Sequence, residues 1–130
     1  MEQAEYLIDT NAVIDYLGKK FTVQGMDFMN NVIDALPNVS VITKIEVLGF
    51  KTSDSYSQLL ESFMNDVTVL DLTAAVVNES IKIRKKYKIK LPDAIIAATA
   101  IVYELILVTH NISDFKDIKK LKLVDPFKIQ

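Results

Sequence analysis

The run Leu91-Pro92-Asp93-Ala94-Ile95-Ile96-Ala97-Ala98-Thr99-Ala100-Ile101-Val102-Tyr103 predicts a helix that is apolar almost all round. Such a helix has no face to give to water, so other elements must cover it. Its small residues let neighbours pack closely on both sides. Pro92 suits the first helical turn, where its missing N–H costs nothing. Asp93 then falls in that turn, at the positive end of the helix dipole. One carboxylate is thereby fixed at the tip of a rigid, buried element.

The rest of the chain supplies the covering layers. Short apolar runs at Tyr6–Ile8, Val39–Ile42, Val67–Leu70, Leu105–Thr109 and Leu121–Val124 predict five strands. Helical spacing between them predicts helices over Asn11–Lys19, about Met26–Leu36, Thr43–Phe50, Ser55–Asn65 and Thr73 to about Tyr87. A short helix is expected to start near Ser113. Two capping boxes are expected, Thr43 with Glu46 and Ser55 with Gln58. Val/Ile/Leu strands alternating with helices predict an α/β fold, in which helices flank a mainly parallel sheet.

Residues 1–130 have the length of one domain with one buried core. Half of them are hydrophobic. That suggests a sheet covered on both faces, or further apolar surface hidden in an oligomer. The helices around Phe28, Met29, Phe50, Leu59, Leu60, Phe63 and Met64 carry more apolar residues than a small core needs. A homodimer contact or a protein clamp is expected on part of that surface. The absence of cysteine excludes disulfides and thiolate zinc sites. No apolar stretch reaches the length of a membrane span, and Glu2 and Glu5 precede the first apolar run, unlike a secretory signal. A cytoplasmic location is the expectation.

The net charge of −2 hides an asymmetry. Through Asn65 the chain has four Lys/Arg and nine Asp/Glu; from Asp66 onward it has eleven and eight. Bulk charge therefore does not favour nucleic acid. A local basic patch still can, as can a metal that inverts the charge of an acidic site.

Ligand sites in an open parallel sheet lie beyond the carboxyl ends of the strands. Asp9, Glu46 and Asp114 each follow a predicted strand, and Asp93 can face the same edge. Two unit charges about 4 Å apart repel by roughly 4 kcal/mol at an effective dielectric near 20. Four carboxylates on one rim need something to offset that, and hard divalent cations take oxygen ligands. Each acid also has a purely structural reading. Asp9 can cap the following helix, and Glu46 can complete its capping box. Asp93 can merely satisfy a helix dipole, and Asp114 can share a cap with Asn111. The basic run containing Arg84, Lys85, Lys86, Lys88 and Lys90 can be a solvated helix end or a phosphate-contacting surface, and Lys116, Lys119, Lys120 and Lys122 can extend it. His110 reads as incidental. No glycine-rich phosphate loop and no Ser/His/Asp arrangement is present.

Four segments in this order carry a resemblance. They are Ile8-Asp9-Thr10-Asn11, Glu46 after the second strand, Leu91-Pro92-Asp93-Ala94 opening an alanine-rich helix, and Thr109-His110-Asn111-Ile112-Ser113-Asp114-Phe115. The chain resembles PIN-domain nucleases over nearly its whole length, especially small toxins of the VapC type. The resemblance implies a PIN-like three-layer α/β/α fold with a parallel sheet of about five strands. It implies that Asp9, Glu46, Asp93 and Asp114 are the catalytic acids and bind Mg2+ or Mn2+. Thr10, Asn11, Thr109 and Asn111 match polar positions that support such a site, while His110 stands where other polar or basic residues are common. It further implies a metal-dependent endoribonuclease that dimerises and is silenced by a cognate antitoxin.

Other classes of function remain open at this point. A housekeeping RNA-processing nuclease has the same residues. So does a binding module of this architecture without useful catalysis. A receiver-like signalling domain is also a small α/β domain with acids at strand ends, with Asp71 as its imagined phosphoacceptor. Against it, the first strand ends in one acid rather than an adjacent pair, and Asp125-Pro126 stands where a lysine is expected.

Overall fold

The computed structural model describes residues 5–129. Strand β1 (Tyr6–Ile8) leads into α1 (Thr10–Leu17) and α2 (Val23–Asp34). Strand β2 (Asn38–Ser40) leads into α3 (Val41–Leu48) and α4 (Asp54–Asp66). Strand β3 (Thr68–Leu70) is followed by α5 (Ala74–Lys86) and α6 (Leu91–Val102). Strand β4 (Ile106–Val108), α7 (Ile112–Phe115), β5 (Lys122–Val124) and a 3-10 turn over Pro126–Lys128 complete the described chain. All strand pairings are parallel, in the order β3-β2-β1-β4-β5. The expected α/β/α fold with five parallel strands is the one observed.

Leu7 and Ile8 explain why the strands read as continuous apolar runs. Successive side chains on a strand point to opposite faces. Leu7 packs with Leu107 against Val76 and Ile83 of α5 and the inward face of α6. Ile8 packs with Val39 and Val108 against Val13 of α1, Met29 and Val32 of α2, and Leu60 of α4. Both faces of the sheet are dry, so both strand positions must be apolar. Helix α6 is buried from Ala94 through Ala100 and shares its most extensive contact with α5. Its buried Thr99 hydroxyl donates to the Ile95 carbonyl at 2.7 Å, which removes the cost of an unpaired polar group.

Several element boundaries differ from the sequence reading. Helix α2 starts at Val23, three residues before Met26, because the Thr22 hydroxyl accepts from the Gly25 N–H at 3.1 Å and caps it early. Helix α4 is capped by Ser53, which accepts from the Tyr56 N–H, and not by Ser55. Strand β2 ends at Ser40, and the helix after it begins at Val41 rather than Thr43. The Ser40 hydroxyl accepts from the Thr43 N–H at 3.1 Å, so the expected Thr43–Glu46 capping box does not form.

The apolar excess also lies elsewhere than expected. Met29, Leu60, Phe63 and Met64 are core, and Phe28 packs edge-on against the Tyr6 ring. Of the seven residues singled out, Phe50 and Leu59 are the exposed ones. Leu72, Val77, Ile81 and Leu91 form a second exposed apolar surface along α5 and the start of α6. No helix among the described residues is long and apolar enough to cross a membrane.

Candidate active site

Asp9 stands where the strand order reverses. β1 has β2 on one side and β4 on the other, and Ile8 pairs with Val108. The residues just beyond, Asp9 and Thr109, therefore meet at the carboxyl rim. Asp9 is buried and caps α1: its Oδ1 accepts from the Thr10 N–H at 2.8 Å. Its Oδ2 accepts from the Thr109 hydroxyl at 2.7 Å and from the Asn11 amide at 2.9 Å. Asn11 Oδ1 in turn accepts from the His110 N–H at 3.0 Å, which ties α1 to the loop after β4. Burial pushes the Asp9 carboxyl up, the Thr109, Thr10 and Asn11 bonds oppose that, and the Glu46 charge adds to the rise. The capping role expected of Asp9 is real, and it leaves a buried carboxylate at the switch point.

Glu46 is released for another task because Ser40 takes the cap. The Thr10 hydroxyl donates to Glu46 Oε1 at 2.6 Å and lies 3.1 Å from the Thr43 hydroxyl. Thr43 is buried and lies 3.4 Å from Ser40 Oγ. A line of hydroxyls thus runs from the end of β2 to the Glu46 carboxylate. Thr43 and Ser40 have no place in the sequence reading of the site, because Thr43 was expected to cap a helix. The spacing of Ser40 three residues before Thr43 is the signal that favours the alternative.

Asp93 sits in the first turn of α6, as expected, with Pro92 ahead of it. It is half-buried. Partial burial, then the charges of Asp9, Asp114 and Glu46, push its carboxyl up to about 6, with Lys90 pulling the other way. The four acids are therefore close enough to act on one another. Asp114 is exposed on α7 and lines, together with Asp93, an open groove of about 710 Å³. Asn111 makes no side-chain cap; its N–H donates to the Thr109 hydroxyl at 3.0 Å.

The same groove is also lined by basic residues. Arg84, Lys86, Lys88 and Lys90 line it, with Tyr87. Lys85 does not; it lines the apolar groove on the other flank of α5, beside Leu72, Ile81 and Leu91. Arg84 is partly committed to structure, since its guanidinium donates to the Ile89 carbonyl at 2.6 Å and holds the loop before α6. His110 is not incidental either. Its Nδ1 lies 3.3 Å from Asp125 Oδ1, and its ring packs against Phe127. Asp71 follows the edge strand β3, is exposed, and is not among the groups that perturb Asp9 or Asp93.

The donor set suits a hard divalent cation, because it is carboxylate oxygen throughout. A cation there would also offset the repulsion that adds to burial in raising Asp93. Among the described residues, no three acids close around one point as a dedicated cage would.

Comparison with known proteins adds a family. The model of the PIN domain matches residues 6–121. A comparison with curated proteins gives no significant match. Among solved structures, a toxin–antitoxin complex from Klebsiella pneumoniae contains a chain of 29% identity and TM-score 0.76, covering 96% of this chain and 100% of its own. VapBC-1 from nontypeable Haemophilus influenzae is similar at 26% identity and TM-score 0.74, covering 95% and 98%. VapBC2 from Rickettsia felis, bound to a DNA fragment from its promoter, is similar at 25% identity and TM-score 0.75, covering 92% and 97%. With the match running from β1 through α7 and taking in all four acids of the rim, this chain belongs to the PIN domain family.

Proposed function

We propose that the protein is a divalent-metal-dependent endoribonuclease, a single PIN-like domain that serves as the toxin of a toxin–antitoxin pair. The observation that carries the reading is the placing of Asp9, Glu46, Asp93 and Asp114 on one rim, where burial first, and then the charges of the other three, push the Asp93 carboxyl up to about 6. A fold that maintains such repulsion is built for a bound cation. PIN nucleases use divalent ions, and Mg2+ or Mn2+ fits this oxygen donor set.

Asp9 and Asp93 would be the main ligands, with Glu46 and Asp114 holding a second ion or its water. When bound, the metal lowers the pKa of water and neutralises charge on the scissile phosphate. Thr109 and Asn11 fix the Asp9 carboxylate, so it does not turn away as charge changes. Thr10 does the same for Glu46. Lys86, Lys88 and Lys90 line the same groove as Asp93 and Asp114 and would take the phosphates of the RNA strand. The antitoxin partner is supported by the toxin–antitoxin complexes among the similar structures. The exposed apolar surface along α5 and α6 is a candidate homodimer contact.

The test is cleavage of a mixed RNA pool by purified protein in Mg2+ or Mn2+ against chelator, beside Asp93→Asn. Metal-dependent cutting that is lost in the variant is expected. Equal cutting by the variant, or cutting in chelator, overturns the assignment. Growth arrest on expression, relieved by a small neighbouring reading frame, separates a toxin from a processing enzyme.

A further inference from the structure

The groove beside the acids does not end at Tyr87. On the far side of that residue lies a second groove of about 340 Å³. Lys86, Tyr87 and Ile118 line both, so the two grooves adjoin at these residues. At the junction Ile118 is buried and Tyr87 is half-buried, with the Lys86 ammonium 5.5 Å from the Tyr87 ring centroid.

Charge divides unevenly between the two grooves. In the first, Arg84, Lys86, Lys88 and Lys90 face Asp93, Asp114 and Asp117. In the second, Lys82, Lys86, Lys119 and Lys120 face Glu79 alone. None of these lysines is ion-paired among the described residues. Positive potential is therefore greatest away from the acids, where neither a metal nor the reacting phosphate would sit. Clefts lined by one sign of charge concentrate the opposite charge within them.

We propose that this second groove binds the phosphate backbone of a single-stranded RNA, outside the cleavage centre, with Tyr87 as a platform for the base between the two grooves. The direction of the strand, toward the acids, rests on the nuclease reading above; the binding itself does not. A duplex hides its bases and leaves the Tyr87 ring without a partner, whereas a splayed strand can stack on it. The lysines of two separate segments, the C-terminal half of α5 and the loop after α7, are brought to one groove only by the packing of Tyr87 and Ile118. The role of this groove is to lengthen the contact, so it tightens binding of long RNA without touching the reacting atoms.

The experiment measures binding of a fluorescent single-stranded RNA of about twenty nucleotides, long enough to span more than one subsite. It is done in chelator, so that cleavage cannot enter. Wild type is compared with the triple variant Lys82→Ala, Lys119→Ala, Lys120→Ala, and with a control triple, Lys19→Ala, Lys20→Ala, Lys51→Ala, of exposed lysines on other elements. The groove triple should lose affinity about tenfold or more near 0.1 M salt, and its log–log salt slope should shrink by about 2, the value for three lost phosphate contacts on a single strand. The control triple should lose less than about threefold. Tyr87→Phe should bind as wild type and Tyr87→Leu severalfold more weakly. Equal losses in the two triples, an unchanged salt slope, or tighter binding to duplex DNA of the same length overturns the proposal. If cleavage is found, the groove triple should raise KM for long RNA and leave kcat unchanged. If no cleavage is found, the chelator measurements still decide the groove.

Discussion

Thr10 Oγ1 lies 2.6 Å from Glu46 Oε1, a contact between the first residue of α1 and the middle of α3 across 36 positions of chain. It is a charge-assisted bond, and its donor is itself held by the buried Thr43 hydroxyl 3.1 Å away. Thr10→Val keeps the shape and removes the donor. Hydrogen bonds to charged groups are worth about 1.5–3 kcal/mol, so kcat/KM on RNA should fall about tenfold or more. The concentration of Mn2+ needed for half-maximal rate should rise. Thr10→Ser should restore both. An unchanged metal requirement in Thr10→Val would show that Glu46 needs no orienting partner.

Asp93 gives the protein an unusual dependence on pH. Its carboxyl titrates near 6 in the folded state, against 3.8 when unperturbed. Between those values the folded form binds more protons than the unfolded form, so stability falls as pH rises. The penalty is complete above about pH 7 and absent below about pH 3. Allowing for solvent screening of a half-buried group, it is on the order of 1 kcal/mol. In chelator at pH 8, Asp93→Asn should therefore raise Tm, by roughly 3 °C for a chain of this size. Near pH 4 the gain should shrink. Mg2+ should raise the Tm of the wild type more than that of the variant. Thermal melts at the two pH values, with and without Mg2+, check both statements.

Gly25 is where the end of the chain touches the helical layer. A Cβ built on it collides with the carbonyl of Pro126, and backbone cannot yield as a flexible side chain does. Gly25→Ala should destabilise the protein by about 1–3 kcal/mol through overpacking. It should also displace the 3-10 turn, and with it Phe127, whose ring packs at a tilt against Phe21 and His110. Because the His110 N–H holds Asn11, the disturbance can reach the Asp9 carboxylate. Denaturant unfolding measures the first effect, and the chemical shifts of the Asn11 side-chain amide report the second.

Much of the fold was legible because its causes are local. The runs around Leu7-Ile8 and Leu107-Val108 must be strands covered on both faces, and the helix from Leu91 can only be buried. Asp9 and Asp93 were legible for the same reason, since each sits at an element boundary that neighbouring residues define. Glu46 was found, but its surroundings were not. The sequence Thr43-Lys44-Ile45-Glu46 fits a capping box, and only the position of β2 shows that Ser40 has already taken the cap. Lys85 illustrates a different limit. Successive residues on a helix point about 100° apart, so one basic run on α5 serves two grooves, and its composition does not say which residue faces which.

What the sequence alone determined is the layering, because periodicity and boundary residues act over a few positions and need no knowledge of the rest of the chain; the set of four acids came from the resemblance, since each acid also had a structural reading. What the tertiary structure decided is which polar groups meet. The bonds of Thr10 with Glu46, Thr109 with Asp9, and His110 with Asp125 join residues many positions apart. So does the meeting of Lys82 with Lys119 and Lys120 in one groove. Those pairings follow from strand order and from helix rotation, which are set by how the whole core packs and leave no periodic trace in the chain.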